Sequence, residues 1–140
     1  MAAPMAEAHD FLLVVAAALR DRGGRWLLQQ RPPGKHHAGL WEFPGGKVDP
    51  GETPRHALSR ELAEELALAL EPTAFAPLGF AEDPAGGGRP ALLLLLYRAD
   101  AAKAEPEAQL GQNWGWFSIG EAEALPLAPL DRALLSSLPR

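Results

Sequence analysis

Cysteine is absent from all 140 residues. That excludes a disulfide framework and any thiolate metal site, so a metal ion could find only oxygen or imidazole ligands. A surplus of positive charge is missing too: 13 Lys and Arg stand against 18 Asp and Glu, for a formal net charge of −5. A stable nucleic-acid binder would carry a basic surface, whereas a single bound nucleotide needs none. Long apolar runs are also lacking. Phe11 to Leu19 is nine residues, well short of the ~20 a membrane-spanning helix needs, and it has neither the basic flank nor the cleavage pattern of a signal peptide. No internal repeat or linker composition interrupts the chain. With 47% hydrophobic residues, residues 1–140 are expected to form a single domain with its own core, acting in the cytoplasm and away from membranes.

What is present reads as short strands around one strong helix. "FLLVVAAAL" and "WLLQQR" flank "RDRGGR", whose glycines supply a turn, so the two runs form a hairpin. "PPGKHHAG" is a loop, "LWEFPGG" a short strand closed by a turn, and "VDPGET" a second turn that leads into a helix. Thr53 is placed as its N-cap, with Pro54 at the first helical position, where a missing N–H costs nothing. Past Pro72, "TAFAPLGF" reads as a strand, "EDPAGGGRP" as a flexible connection and "ALLLLLYRA" as a buried strand. "DAAKAEPEAQLGQ" is a loop, "NWGWFSI" a strand, and Pro129 to Leu138 a terminal helix. Strands outnumber helices without regular alternation, which gives an α+β class with a mixed sheet packed by helices.

The helix carries the chemistry. At about 100° per residue, Leu58, Leu62 and Leu66 share the arc that faces the core, and Glu61, Glu64 and Glu65 share the adjoining one. Like charges at such spacings repel by a few tenths of a kcal/mol per pair, so the face is either an ordinary solvated one, with Arg60 paired to Glu64, or a site for a hard cation. Mg²⁺ and Mn²⁺ favour carboxylate oxygen and join it to substrate phosphates.

The line Gly46, five residues, Glu52, seven residues, Arg60, Glu61, Leu62, one residue, Glu64, Glu65 resembles the signature of the Nudix hydrolases, and "GLWEFPGGKVDPGE" is similar to the corresponding stretch of their MutT-type nucleoside triphosphate pyrophosphohydrolases. Residues 9 to 138 follow that family's order of elements. The resemblance implies an α/β/α sandwich with a mixed sheet and a catalytic loop-helix-loop. It implies metal ligation by Glu61, Glu64, Glu65 and the Gly45 carbonyl, with Glu52 and Arg60 orienting the ligands. The implied reaction is Mg²⁺-dependent (Mn²⁺ as alternative) hydrolysis of a nucleoside triphosphate to the monophosphate and pyrophosphate, with Glu61 one candidate for the general base. Oxidised dGTP is one such substrate, and the small-molecule nucleotide is the only partner implied. Alternatives are another nucleoside diphosphate derivative, such as a nucleotide sugar or ADP-ribose, or a non-catalytic nucleotide-binding domain.

Arg31 and Arg89 match substrate-side arginines of MutT-type enzymes and read equally as surface charges. Lys35, His36 and His37 belong to a solvated loop. Trp114 and Trp116 share one strand face, where core packing outweighs base stacking. Three positions depart from the pattern. Ala67 stands in place of a glycine after the glutamates, Leu110 in place of a glutamate, and "LPLAPLDRALL" lacks the asparagine that reads oxidised guanine, Asp131 being its nearest polar residue. Glu107 is the nearest carboxylate that could stand in at Leu110, and it reads more readily as a solvated loop residue.

Overall fold

The structure is a computed structural model and describes residues 11–101 and 104–140. In chain order the elements are β1 (Phe11–Arg20), β2 (Trp26–Gln30), β3 (Trp41–Glu42), β4 (Gly45–Lys47), α1 (Pro54–Leu66), a 3₁₀ turn (Pro72–Ala74), β5 (Ala76–Asp83), β6 (Ala91–Asp100), β7 (Trp114–Phe117), α2 (Ile119–Glu123) and α3 (Pro129–Leu135). No helix among the described residues is long and apolar enough to cross a membrane.

The two apolar runs pair with each other. β1 and β6 lie parallel from Phe11 opposite Ala91 to Arg20 opposite Asp100, at the centre of a mixed sheet ordered β3-β2-β1-β6-β5 among the described residues. Central parallel strands are covered on both faces, which is why both read as almost continuous hydrophobic runs. On one face Val15, Ala17 and Leu19 meet Leu58, Leu62 and Leu66 of α1. On the other, Ala16 and Ala18 meet Leu134 and Leu135 of α3 and Ala122 of α2. The result is an α/β/α sandwich, an α+β fold. Each leucine that α1 buries completely contributes about 1.5–3 kcal/mol.

One irregularity positions the site. The expected single strand through "LWEFPGG" is two: β3 pairs with β2 through Gln29 opposite Glu42, whereas β4 pairs with β1 through Ala16 opposite Gly45. Pro44 between them has no N–H to offer a ladder, and its carbonyl accepts from Ala17 N at 2.9 Å as the chain crosses between strands. A Cβ on Gly45 would lie 1.9 Å from the Val15 carbonyl oxygen, so only glycine allows β4 this close to β1.

Other boundaries moved as well. The strand expected from "TAFAPLGF" begins only at Ala76, because Pro72 opens a 3₁₀ turn. The terminal helix stops at Leu135 rather than Leu138. The loop expected from Asp100 onward is irregular from Ala104 to Asn113, while residues 102 and 103 lie outside the described residues. Helix α2 has no counterpart in the sequence reading, although Ser118 and Glu121 form a capping box.

Candidate active site

The turn before α1 is built to hold one arginine. Glu52 N donates to the Asp49 carbonyl at 3.0 Å, and Asp49 N donates back to Glu52 Oε1 at 2.9 Å. Thr53 caps α1 by accepting from His56 N, with Pro54 opening the helix. Arg60, two turns into α1, then clasps Glu52 through Nε and Nη2, each at 2.8 Å. Those bonds hold the Glu52 carboxyl down at about 2. The same guanidinium donates to the Lys47 carbonyl at 3.1 Å, to Glu61 at 3.0 Å and to Glu64 at 3.3 Å. Arg60 therefore ties the turn, β4 and the acidic face into one unit, with a delocalised charge suited to several oxygens at once.

The three glutamates occupy different settings. Glu61 lies against β4, and a Cβ on Gly46 would fall 2.3 Å from its carboxyl carbon; burial raises its pKa and Arg60 opposes the shift. Glu65 Oε2 accepts from Gly45 N at 3.3 Å and from Gln29 Nε2 at 3.2 Å, and burial pushes its carboxyl up to about 7. The Glu64 side chain is 58% exposed and faces Arg60. The expected ligand set is thus brought to one place but not closed: among the described residues no three acidic or imidazole groups form a ready metal cage. The donors nonetheless fit a hard divalent cation. They are oxygens only, and two of them are half-desolvated carboxylates on glycine backbone with no guanidinium reaching Glu65. Glu64 would join them by leaving Arg60.

A cleft of about 660 Å³ runs from this edge across the sheet. Gly45, Gly46 and Glu65 line one end. Val14, Phe43, Leu92 and Leu94 give it an apolar lining, and Leu130 and Asp131 of α3 line it as well. Asp131 is 6% exposed. Its Oδ1 accepts from Phe43 N at 2.9 Å, and burial outweighs that bond, pushing the carboxyl up to about 7. Glu42 also faces the cleft; burial raises its pKa and Arg31 opposes the shift.

The chain matches the NUDIX domain over residues 10–138. It is 38% identical over 126 residues to the CTP pyrophosphohydrolase of Escherichia coli, covering 90% of each chain. It is 34% identical over 126 residues to the 8-oxo-dGTP diphosphatase of Haemophilus influenzae, covering 89% of each. Among solved structures, a MutT NUDIX hydrolase from Burkholderia pseudomallei superposes with a TM-score of 0.79 at 31% identity, over 92% of this chain and 98% of that one. The chain belongs to the Nudix hydrolases. Its Nudix helix ends in an unexpected way. Ala67 adopts the left-handed conformation at φ 55°, and Ala67 N and Leu68 N bond back to the Ala63 and Leu62 carbonyls. The helix therefore finishes in the left-handed αL turn that a glycine would make, with alanine bearing the strain.

The remaining Nudix positions divide. Arg31 lines the cleft, but its Nε is 2.7 Å from Glu42 and its Nη1 donates to the His36 carbonyl at 2.9 Å. It is an inward strut more than an open phosphate ligand. Arg89 is exposed at the lip and makes no ion pair among the described residues. Lys35 and His36 are exposed, as expected of a solvated loop, and with the half-buried His37 they also line the cleft at this lip. Trp114 and Trp116 pack edge to face with ring centroids 6.3 Å apart against the α1 core, away from the cleft. Leu110 does face the cleft, 55% exposed. Glu107 does not line it: its backbone N–H is fixed to the Leu66 carbonyl at 2.8 Å. Asp49, Gln29, Glu42 and Gln112 were missed from sequence. The signal for Gln29 was faint: a polar residue in β2 whose alternation partner, Leu27, is core.

Proposed function

We propose that this Nudix hydrolase is a single-domain, cytoplasmic, Mg²⁺-dependent nucleoside triphosphate pyrophosphohydrolase that releases the monophosphate and pyrophosphate. The observation that carries this reading is the continuity of one cleft from Glu65 and the β4 glycines to the buried Asp131. A triphosphate would lie at the first end and a base at the second. The names of the relatives, which act on CTP and on 8-oxo-dGTP, support the same substrate class.

Glu61, Glu64, Glu65 and the Gly45 carbonyl would hold Mg²⁺, which supplies charge neutralisation and a more acidic attacking water when bound. Arg60 would keep Glu61 oriented from behind, while Glu64 would turn from Arg60 to the metal. Glu61 is the general-base candidate, since its carboxylate sits against β4 with a raised pKa. The apolar lining excludes water around the base. Arg89 would draw the phosphates in from the lip, and Arg31 would hold Glu42 in place as it faces the base.

Asp131 would read the base with Oδ2, because Phe43 N occupies Oδ1. A carboxyl that titrates near neutrality presents a donor or an acceptor according to its proton, so it suits the ring nitrogen of cytosine as well as the N–H edge of guanine. Broad base tolerance follows. Discrimination between 8-oxo-dGTP and dGTP is expected to stay below about a thousandfold in kcat/KM, or roughly 4 kcal/mol.

Purified protein incubated with a panel of CTP, dCTP, dGTP, 8-oxo-dGTP, a nucleotide sugar and ADP-ribose, with pyrophosphate and phosphate read separately, tests the proposal. Pyrophosphate release from triphosphates that stops in EDTA and returns with Mg²⁺ or Mn²⁺ is expected. Turnover of only the nucleotide sugar or ADP-ribose, or activity that survives exhaustive chelation, overturns it.

A further inference from the structure

Two glutamines are buried in this molecule, Gln29 at 4% and Gln112 at 5% exposure, and the loop-helix-loop uses neither. Buried amides cost free energy unless every group is paired, and an apolar side chain of the same length would fill the space without that cost. Their bonds run in one direction. The Gln29 Nε2 group stands between two carboxylates: it donates to Glu65 Oε2 at 3.2 Å and also toward Glu42, its partner across β3. The direction is fixed from the far side, where Gln112 Oε1 accepts from Leu110 N and Gln112 Nε2 donates to a backbone carbonyl, so Gln29 must turn its Oε1 toward Gln112. There it accepts from Gln112 Nε2 at 3.2 Å. The Gln112 nitrogen also donates to the Glu65 backbone carbonyl at 2.9 Å, one of the carbonyls left over at the end of α1. Gln112 Oε1 is then left to accept Leu110 N–H at 2.9 Å. Reversing either amide would set donor against donor or acceptor against acceptor.

The outcome is visible at Glu65. Oε2 is pinned by Gln29 and by Gly45 N, and no bond within the described residues holds Oε1. One oxygen is fixed and the other is presented to the site. The far end of the relay is the loop whose Leu110 forms part of the cleft lip.

We propose that Gln29 and Gln112 are positioning residues that fix the rotamer of Glu65 and couple the Leu110 loop to it. The relay is a property of the folded chain alone; its consequence for metal affinity rests on the reading of Glu65 as a ligand.

The test replaces each glutamine by the similarly long, apolar Met and uses two readouts. The first is the Gly45 amide in metal-free protein, followed by ¹H–¹⁵N NMR. In Gln112→Met and Gln29→Met its shift should move and its exchange quicken, because Glu65 Oε2 is released. Asn113→Ala is the control: it removes the neighbouring bond between the same two segments, Asn113 Nδ2 to Gln30 Oε1 at 2.8 Å, and should leave the Gly45 amide unchanged. A Gly45 amide indifferent to Gln112→Met, or equally disturbed by Asn113→Ala, overturns the proposal. The second readout is Mn²⁺ affinity without nucleotide, by electron paramagnetic resonance. Each glutamine variant should lose about tenfold, and the double variant no more than Gln29→Met alone, since Gln112 reaches the carboxylate through Gln29. Additive losses, or unchanged affinity beside a lowered Tm, overturn the coupling. If Glu65→Gln binds Mn²⁺ as well as the parent protein does, the ligand reading fails, and the Gly45 amide still decides the relay.

Discussion

At Asp131 a buried carboxyl that accepts from Phe43 N makes folding depend on pH. Its usual value of 3.8 rises to about 7 in the folded chain. Between those values the folded chain holds a proton that the unfolded chain has lost, so stability falls as pH rises through the interval, at up to about 1.4 kcal/mol per pH unit. Asp131→Asn keeps an acceptor for Phe43 N and cannot ionise. Urea denaturation in EDTA at pH 5 and pH 8 should show the variant losing that decline and exceeding the parent at pH 8. Equal pH dependence in the two proteins would refute the assignment. Glu65 has the same sign of shift for the same main cause, burial, so Glu65→Gln should melt no lower than the parent in metal-free buffer. Its kcat at saturating Mg²⁺ should fall roughly 100-fold or more, since a negative ligand is lost at nearly constant volume. Near-parental turnover would remove Glu65 from the ligand set.

Helix α1 shows how far local sequence reaches. Its cap at Thr53, its opening Pro54 and its buried leucine stripe are all set by residues within the segment, and each could be read directly. Its end could not. Ala67 takes a left-handed conformation because Leu68 is 2% exposed and packs into the α1 core, which draws the chain back over the last turn. Alanine there loses about 1–2 kcal/mol relative to an unstrained conformation, and glycine returns part of that gain as unfolded-state entropy. Ala67→Gly should therefore stabilise the protein by about 1 kcal/mol with kcat/KM unchanged, read by chemical denaturation beside a turnover assay. A destabilised variant would mean that the alanine methyl makes a contact worth more than the strain. Helix α2 was local too, but the apolar run "NWGWFSI" hid its Ser118–Glu121 capping box by carrying the strand reading past Ser118.

For the whole molecule the illegible part is the distant part. The acidic face follows from spacing within α1, whereas the cleft opposite it depends on Phe43 meeting Asp131, 88 positions away, and on Gln29 meeting Gln112, 83 positions away. Polar residues such as these look like surface until a partner from another element buries them. The same holds for the lip, where "PPGKHHAG" and "EDPAGGGRP" read as separate solvated loops.

The lip joins those loops in a way that bears on substrate capture. A chain with net charge −5 repels a polyphosphate at long range, yet Lys35 and Arg89 gather at the cleft mouth with Asp83 the acid beside them. The crowding registers at His37, whose pKa is lowered by burial and then by His36, Arg31 and Arg89. A local positive potential around a concave entrance raises the encounter rate of an anion, and salt screens it over about 10 Å at 0.1 M. Arg89, exposed and outside any ion pair among the described residues, can be neutralised without breaking an internal bond. Arg89→Gln should lower kcat/KM for a triphosphate roughly fivefold at low ionic strength, equal to about 1 kcal/mol, with most of the loss in KM. The deficit should shrink as salt rises from 20 to about 300 mM, because the parent loses more than the variant does. A deficit that persists unchanged at high salt would mean that Arg89 holds the bound phosphates by direct contact instead of drawing them in.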